Sequence, residues 1–271
     1  MTTQLVVCAD DFAYSPAICD AIVDLAERGR ISAISCMTNM PLWRAQAARL
    51  RPLIGRIDIG IHLTLIEEAP LTAMPRTVRA GRMPSLGAVI RDSYLGRLAL
   101  DEFAAEIAAQ CEAFVGALGV PPSHLDGHRH THVLPGLRDL VIEAAARFAP
   151  YPWLRNVAEP VGRVFARGVE IPKTLVITTL GGALPHAARA AGVPVSGGFS
   201  GAYSLSPNEN FPTLFARFIE GAADQHVVMC HPGGLDDAPL AATRAKEYAF
   251  LAGDAYPALL AKRDFQIGRL R

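Results

Sequence analysis

No run of apolar residues in this sequence approaches the ~20 needed to cross a bilayer. Nor does a basic segment precede the first apolar stretch, MTTQLVVCADD. A signal peptide is therefore not expected, and a cytoplasmic protein without a membrane segment is. There is no excess of either charge: 26 basic residues face 26 acidic ones. That balance, with no polybasic run, gives no electrostatic reason to expect a nucleic-acid or anionic-membrane partner. Cysteines are few and scattered (Cys8, Cys19, Cys36, Cys111 and Cys230), and none forms a C-x-x-C pair. Neither a disulfide framework nor a cysteine zinc site fits that pattern, and a reducing compartment does. The G-x-G-x-x-G fingerprint is missing after the first apolar run, which removes the main pointer to a dinucleotide fold. Internal repeats, low-complexity tracts and charged linkers are also absent.

What remains is a chain of 271 residues, 51% apolar and 19% charged. It is long enough to bury a core without disulfides or a structural metal, so any metal should serve chemistry. Short apolar runs alternate with amphipathic ones. Strands are expected at 4–9, 31–37, 57–65, 123–127, 153–157, 193–195 and 226–230. Helices are expected at 16–28, 41–50, 100–118, 137–148, 211–222, 241–251 and 255–262, with mixed helical character over 175–191. Ser15 with Pro16 marks one helix start, and Asp101 is read as the cap of another. Residues 67–98, rich in Pro, Gly and Arg, read as a long irregular stretch, which in a compact domain is usually functional or flexible. This β-α-β order with apolar strands implies a parallel sheet crossed by helices, in one domain over 1–271. A barrel and an open doubly wound sheet both satisfy it.

The polar residues that interrupt this pattern fall at strand C-termini, the edge that carries active sites in parallel α/β folds. Asp10 and Asp11 end the first strand and His62 lies near the end of the third. His124, Asp126, His128, His130 and His132 cluster at the fourth, and His231 follows the last clear strand. Singly, each has an ordinary explanation: a turn carboxylate, a hydrogen-bonded core histidine, a residue before Pro-Gly. Together they look like a metal site, because imidazole and carboxylate are common ligands. An extended segment from 124 to 132 would span roughly 26 Å. At most two of its members can therefore reach one ion unless the chain bends, and Gly127 permits a bend that leaves His128 at the rim. Neighbouring side chains of a strand point opposite ways, so Asp10 and Asp11 can share a site only where the backbone turns.

The runs CADDFAYS (8–15), GIHLTL (60–65), HLDGHRHTHVLP (124–135) and MCHPGG (229–234) resemble, in this order, the motifs of the YdjC-like carbohydrate deacetylases, the family that includes chitooligosaccharide deacetylase. RNVAEP (155–160) is similar to the subgroup linked with hopanoid biosynthesis. The resemblance implies a distorted (β/α) TIM-like barrel and one divalent ion, zinc or magnesium, held by Asp11, His62 and His128. It further implies Asp10 as general base, His231 as acid or transition-state stabiliser, and Arg155 as a substrate contact. His132 is a second expected substrate contact. The substrate would be an N-acetylated sugar or glycolipid, and a homodimer is the commonest assembly. One departure is Ala13, where the family has Gly; a left-handed backbone there would strain Ala by roughly 1 kcal/mol. Two rivals stand beside this reading. One is a metallohydrolase of the amidohydrolase or histidinol-phosphatase kind, built on the H-x-H pair His128 and His130. The other is a carbohydrate-binding protein without activity, against which the Asp10–Asp11 pair speaks. Specificity is expected to reside in 67–98 and 181–207.

Overall fold

From Leu5 to Ala9 five consecutive side chains have no exposed surface, so the first strand is covered on both faces and shows no alternation. That strand, β1 (Thr3–Phe12), is the middle of the molecule. The computed structural model describes residues 3–271. The other strands are β2 (Ala33–Cys36), β3 (Asp58–Leu63), β4 (His124–Gly127), β5 (Trp153–Leu154), β6 (Gly198–Ser200), β7 (His226–Cys230) and β8 (Phe265–Ile267). All their pairings are parallel, in the order β5-β4-β3-β2-β1-β7-β6, with β8 added to the start of β1.

The two edges of this curled sheet meet through one short segment, 194–200. Leu154 forms a single parallel bridge with Val195, and Gly198–Ser200 then pairs with the start of β7. The sheet thus becomes an uneven barrel whose seam is far thinner than its opposite wall. Helices cover the outside, and the strand C-termini open towards a cavity.

Several local expectations change. Residues 41–50 do not form one helix; Trp43–Gln46 passes into a 3-10 segment, Ala47–Leu53, that contains Pro52. The fifth strand is only two residues long; the Arg155 N–H after it still donates to the Leu125 carbonyl, and its side chain turns inward, fully buried. The strand expected at 193–195 is the Val195 bridge, with β6 three residues further on. Ser15 caps its helix as expected, accepting from the Ile18 N–H. Asp101 is no cap: it sits in the first turn of Leu100–Leu118 and its carboxylate pairs with Arg76. The irregular stretch contains a helix, Leu86–Tyr94. Its earlier part is fastened from below by two buried carboxylates of the helix Leu100–Leu118. Glu106 accepts the N–H groups of Leu71 and Thr72, and Glu102 those of Arg76 and Thr77. Ala13 does adopt a left-handed backbone, φ 80°, so the strain anticipated for a side chain there is present.

Two histidines of the fourth-strand cluster belong to the interior. His124 stacks on Trp153 at a centroid distance of 4.3 Å, and Gly60 makes room for it: a Cβ there would lie 2.4 Å from the ring. His132 hydrogen-bonds the Arg155 carbonyl through Nε2 at 2.9 Å. Burial pulls each of them down to about 4. The unfolded chain accepts protons at both below about 6.5 whereas the native state refuses them, so stability is full above that pH and is lost as pH falls from there towards 4. Glu247, pushed up to about 7 by burial, acts oppositely, but as one carboxyl against two imidazoles. We expect the melting temperature to drop between pH 7 and pH 4.5, with a loss on the order of several kcal/mol. Scanning calorimetry across this range checks it, and a flat profile would contradict the burial of neutral imidazoles.

Candidate active site

The adjacent aspartates share a site because β1 is irregular at that point. Its register against β2 shifts between Ala9 and Phe12, and Asp11 has φ 67°. An inserted residue of this kind bends the strand and redirects a side chain. Both carboxylates consequently approach the same imidazole: His62 Nε2 lies 3.9 Å from Asp10 Oδ2 and 3.5 Å from Asp11 Oδ1.

His62 comes from β3, and β4 ends at Gly127 so that His128 turns over the rim. The two residues after it, Arg129 and His130, both have left-handed backbones, at φ 49° and 62°, which makes the bend tight. His128 Nδ1 stands 3.1 Å from Asp11 Oδ1 and 3.4 Å from His62 Nε2. Asp11, His62 and His128 therefore present three donor atoms at the corners of a small triangle. Ligands held at about 2.1 Å stand roughly 3.4 Å apart around a tetrahedral ion and about 3.0 Å around an octahedral one. The observed edges fit one shared ion, and two of the three lie nearer the first figure.

Behind the triangle lies a buried polar layer. Asp126, fully buried, accepts from His62 Nδ1 at 2.6 Å. That bond fixes the tautomer and leaves Nε2 to the triangle, the usual arrangement behind a metal-binding imidazole. Burial opposes charge on His62, but Asp126, Asp10 and Asp11 push it up to about 9, so the pocket attracts positive charge. Arg155 donates to both oxygens of Asp10, at 2.7 and 2.6 Å, and also to Ser35 Oγ and Asp126. On the other side Arg244 Nη2 donates to Asp11 Oδ2 at 2.5 Å. Burial disfavours the Asp11 anion, yet Arg244 and His128 hold it well below the usual carboxylate range. Two further donor groups, Cys8/His124/Asp126 and Asp10/His62/Asp126, are close enough to suggest an ion. The Arg155 guanidinium already neutralises both, contacting Cys8 Sγ, Asp10 and Asp126.

A profile of YdjC-like proteins matches residues 4–262. The chain belongs to the YdjC-like family. It is 31% identical to a chitooligosaccharide deacetylase of Serratia marcescens, covering 99% of this chain and 98% of that one. It is 28% identical to one of Klebsiella pneumoniae, covering 100% and 99%. Among solved structures, a protein of Enterococcus faecalis V583 named for cellobiose-phosphate cleavage superposes with a TM-score of 0.71, at 18% identity over 99% of this chain and 98% of that one. This last likeness supports the barrel.

In this YdjC-like chain the predicted site residues fall into two sets. Asp10, Asp11, His62, His128 and His231 line one cavity of about 670 Å³. Arg155 and His132, expected to touch substrate, do not reach it: both are fully buried and lie outside its lining. A guanidinium that must neutralise two buried carboxylates cannot also face solvent, and His132 is held by the Arg155 carbonyl. His130 lines the cavity but packs edge-on against Phe199 and has no bond at Nδ1. The H-x-H pair of the rival metallohydrolase reading thus does not converge on one point. Sequence reasoning missed Arg244, Glu247 and Ser35, which lie on an exterior helix or inside an apolar strand with no motif around them. Glu247 accepts from the His231 backbone N–H and from Tyr203 Oη, both at 2.6 Å. Replacing Arg155 with Met leaves Asp10 and Asp126 uncompensated in the interior. We expect a stability loss of about 3–5 kcal/mol in denaturant unfolding, against little change for the exposed Arg91→Met.

Proposed function

We propose that this chain hydrolyses the N-acetyl group of an amino sugar joined to an apolar carrier, using one divalent ion held by Asp11, His62 and His128. The observation that carries the reading is the donor triangle at the floor of the cavity, with Asp10 beside it. The chitooligosaccharide deacetylases among its relatives support the reaction class. Two imidazoles and edges near the tetrahedral spacing favour zinc over magnesium. Such an ion, when bound, polarises an acyl oxygen and makes water easier to deprotonate.

The chain's own groups supply the rest. Asp10 takes the proton of the attacking water, and Arg155 fixes its orientation through two hydrogen bonds. His231 is pulled down to about 4 by burial, against the opposing pull of Asp11 and Asp10. As a neutral imidazole it is a poor acid at neutral pH. It therefore serves as a neutral hydrogen-bonding group to the reacting acyl unit, and Asp10, having gained a proton, returns it to the departing amine. Of the two roles expected for His231, this favours stabilisation.

The apolar carrier is inferred from the opposite wall. In the helix Ile171–Gly181 only Gly181 is buried, although the helix is rich in Leu, Val and Ile. Val176, Ile177 and Leu180 line the cavity together with Leu86 and Ile90 of Leu86–Tyr94, and Val176 is 58% exposed. A free sugar has little use for such a wall, whereas a glycolipid of the kind suggested by RNVAEP would bury it, at about 25 cal/mol per Å². Both expected specificity segments, 67–98 and 181–207, contribute to this cavity.

Acetate release tests the reading. Asp10→Asn should keep the ion while losing at least about 10³-fold in kcat, within the range of general-base and electrostatic effects. Full turnover in that variant would reject the base. Chelation should abolish activity. Val176→Asp with Ile177→Asp should raise KM for an N-acetylated glycolipid at least tenfold and leave a short water-soluble N-acetylated sugar unaffected; equal effects on both would remove the apolar carrier.

A further inference from the structure

Asp11 offers one oxygen to the donor triangle because the other is taken. Its Oδ1 faces His62 and His128, while Oδ2 accepts from Arg244 Nη2 at 2.5 Å. Arg244 is buried, projects from the helix Ala241–Ala252, and lines the same cavity. We propose that Arg244 is a positioning residue for the metal centre: it makes Asp11 a one-oxygen ligand and holds that oxygen in the triangle. The assignment rests on the metal reading above.

Three observations separate this from an arginine that merely helps the fold. First, the guanidinium leaves Nη1 buried without a hydrogen-bond partner. Buried polar groups are rarely left so, and the placement satisfies Asp11 at the expense of Arg244. Second, the HPGG turn is shaped around it. The Gly233 N–H donates to the Arg244 carbonyl, and a Cβ on Gly233 would lie 3.1 Å from Arg244 Cβ and 3.2 Å from its Cδ. The first glycine of that motif thus clears the path by which Arg244 reaches β1. Third, Asp11 has a left-handed backbone, a conformation that costs a residue with a side chain on the order of 1 kcal/mol and here aims its carboxylate between Arg244 and the two imidazoles. Glu247, one turn further along the same helix, holds the His231 N–H. The helix therefore fixes the ligand aspartate and the catalytic turn from one face.

An aspartate freed from Arg244 can rotate, or close both oxygens on one ion. Groups behind a ligand typically alter metal affinity 10–100-fold. The test is calorimetric titration of zinc into the metal-stripped full chain, with no sugar present, for wild type, Arg244→Gln, Arg244→Lys and Gly233→Ala. We expect Arg244→Gln to weaken zinc binding 10–100-fold and to reduce the zinc-induced rise in melting temperature. Arg244→Lys, which keeps the charge without the fork, should fall between it and wild type. Gly233→Ala keeps the arginine but crowds its stem, and should weaken binding in the same direction even if Arg244→Gln fails to fold. Wild-type affinity in both Arg244→Gln and Gly233→Ala would overturn the assignment. A wild-type chain that binds no divalent ion would overturn the metal reading first, and this inference with it.

Discussion

Three carboxylates, Asp10, Asp11 and Asp126, meet around one imidazole where almost no water reaches. The rest of the site is a response to that concentration of negative charge. Arg155 neutralises Asp10 and Asp126 from beneath, and Arg244 takes one oxygen of Asp11 from the side. What remains uncompensated points at His62 Nε2, at the cavity floor. These carboxylates raise the proton affinity of His62, and a divalent ion between Asp11, His62 and His128 would answer the same excess of negative charge. Each buried guanidinium is worth having only because its carboxylates are present, since a buried charge without a partner is far more costly than a surface one. Metal affinity and fold stability are therefore linked through the same side chains.

This balance also explains the shape of the reaction centre. Asp10 and Asp11 are neighbours in sequence with different partners, and the strand irregularity at that point lets both face one way. Each is then fixed by its own arginine. Asp10 keeps its orientation through two hydrogen bonds from Arg155. Asp11 gives one oxygen to Arg244 and turns the other towards His62 and His128. The apolar side chains Val176, Ile177 and Leu180 also line the cavity and lie outside this network.

Much of this was legible in the sequence. Uninterrupted apolar runs such as QLVVCA and HVVMC named the central strands, because strands covered on both faces need no alternation. Asp11, His62 and His128 stood out as polar residues at the ends of such runs. Short edge elements were not legible: β5, β6 and β8 have two or three residues, too few for any period, and exist because neighbours hold them. The burial of Arg155 and His132 was not legible, since sequence shows that an arginine follows a strand but not that two buried acids wait beneath it. Arg244 carried no signal. Its helix reads as ordinary surface, and its partner lies 233 positions away.

The seam of the barrel has an evolutionary consequence. Asp10, Asp11, His62 and His128 are fixed by ladders running from β1 through β4, on the thick side of the ring. Closure on the far side depends on the Val195 bridge and three residues of β6, flanked by the segments that form the apolar wall. Lengthening or trimming the chain between 158 and 205 would therefore reshape the chamber and leave the registers of those four residues intact. A fold built this way can change what it recognises without relearning its chemistry.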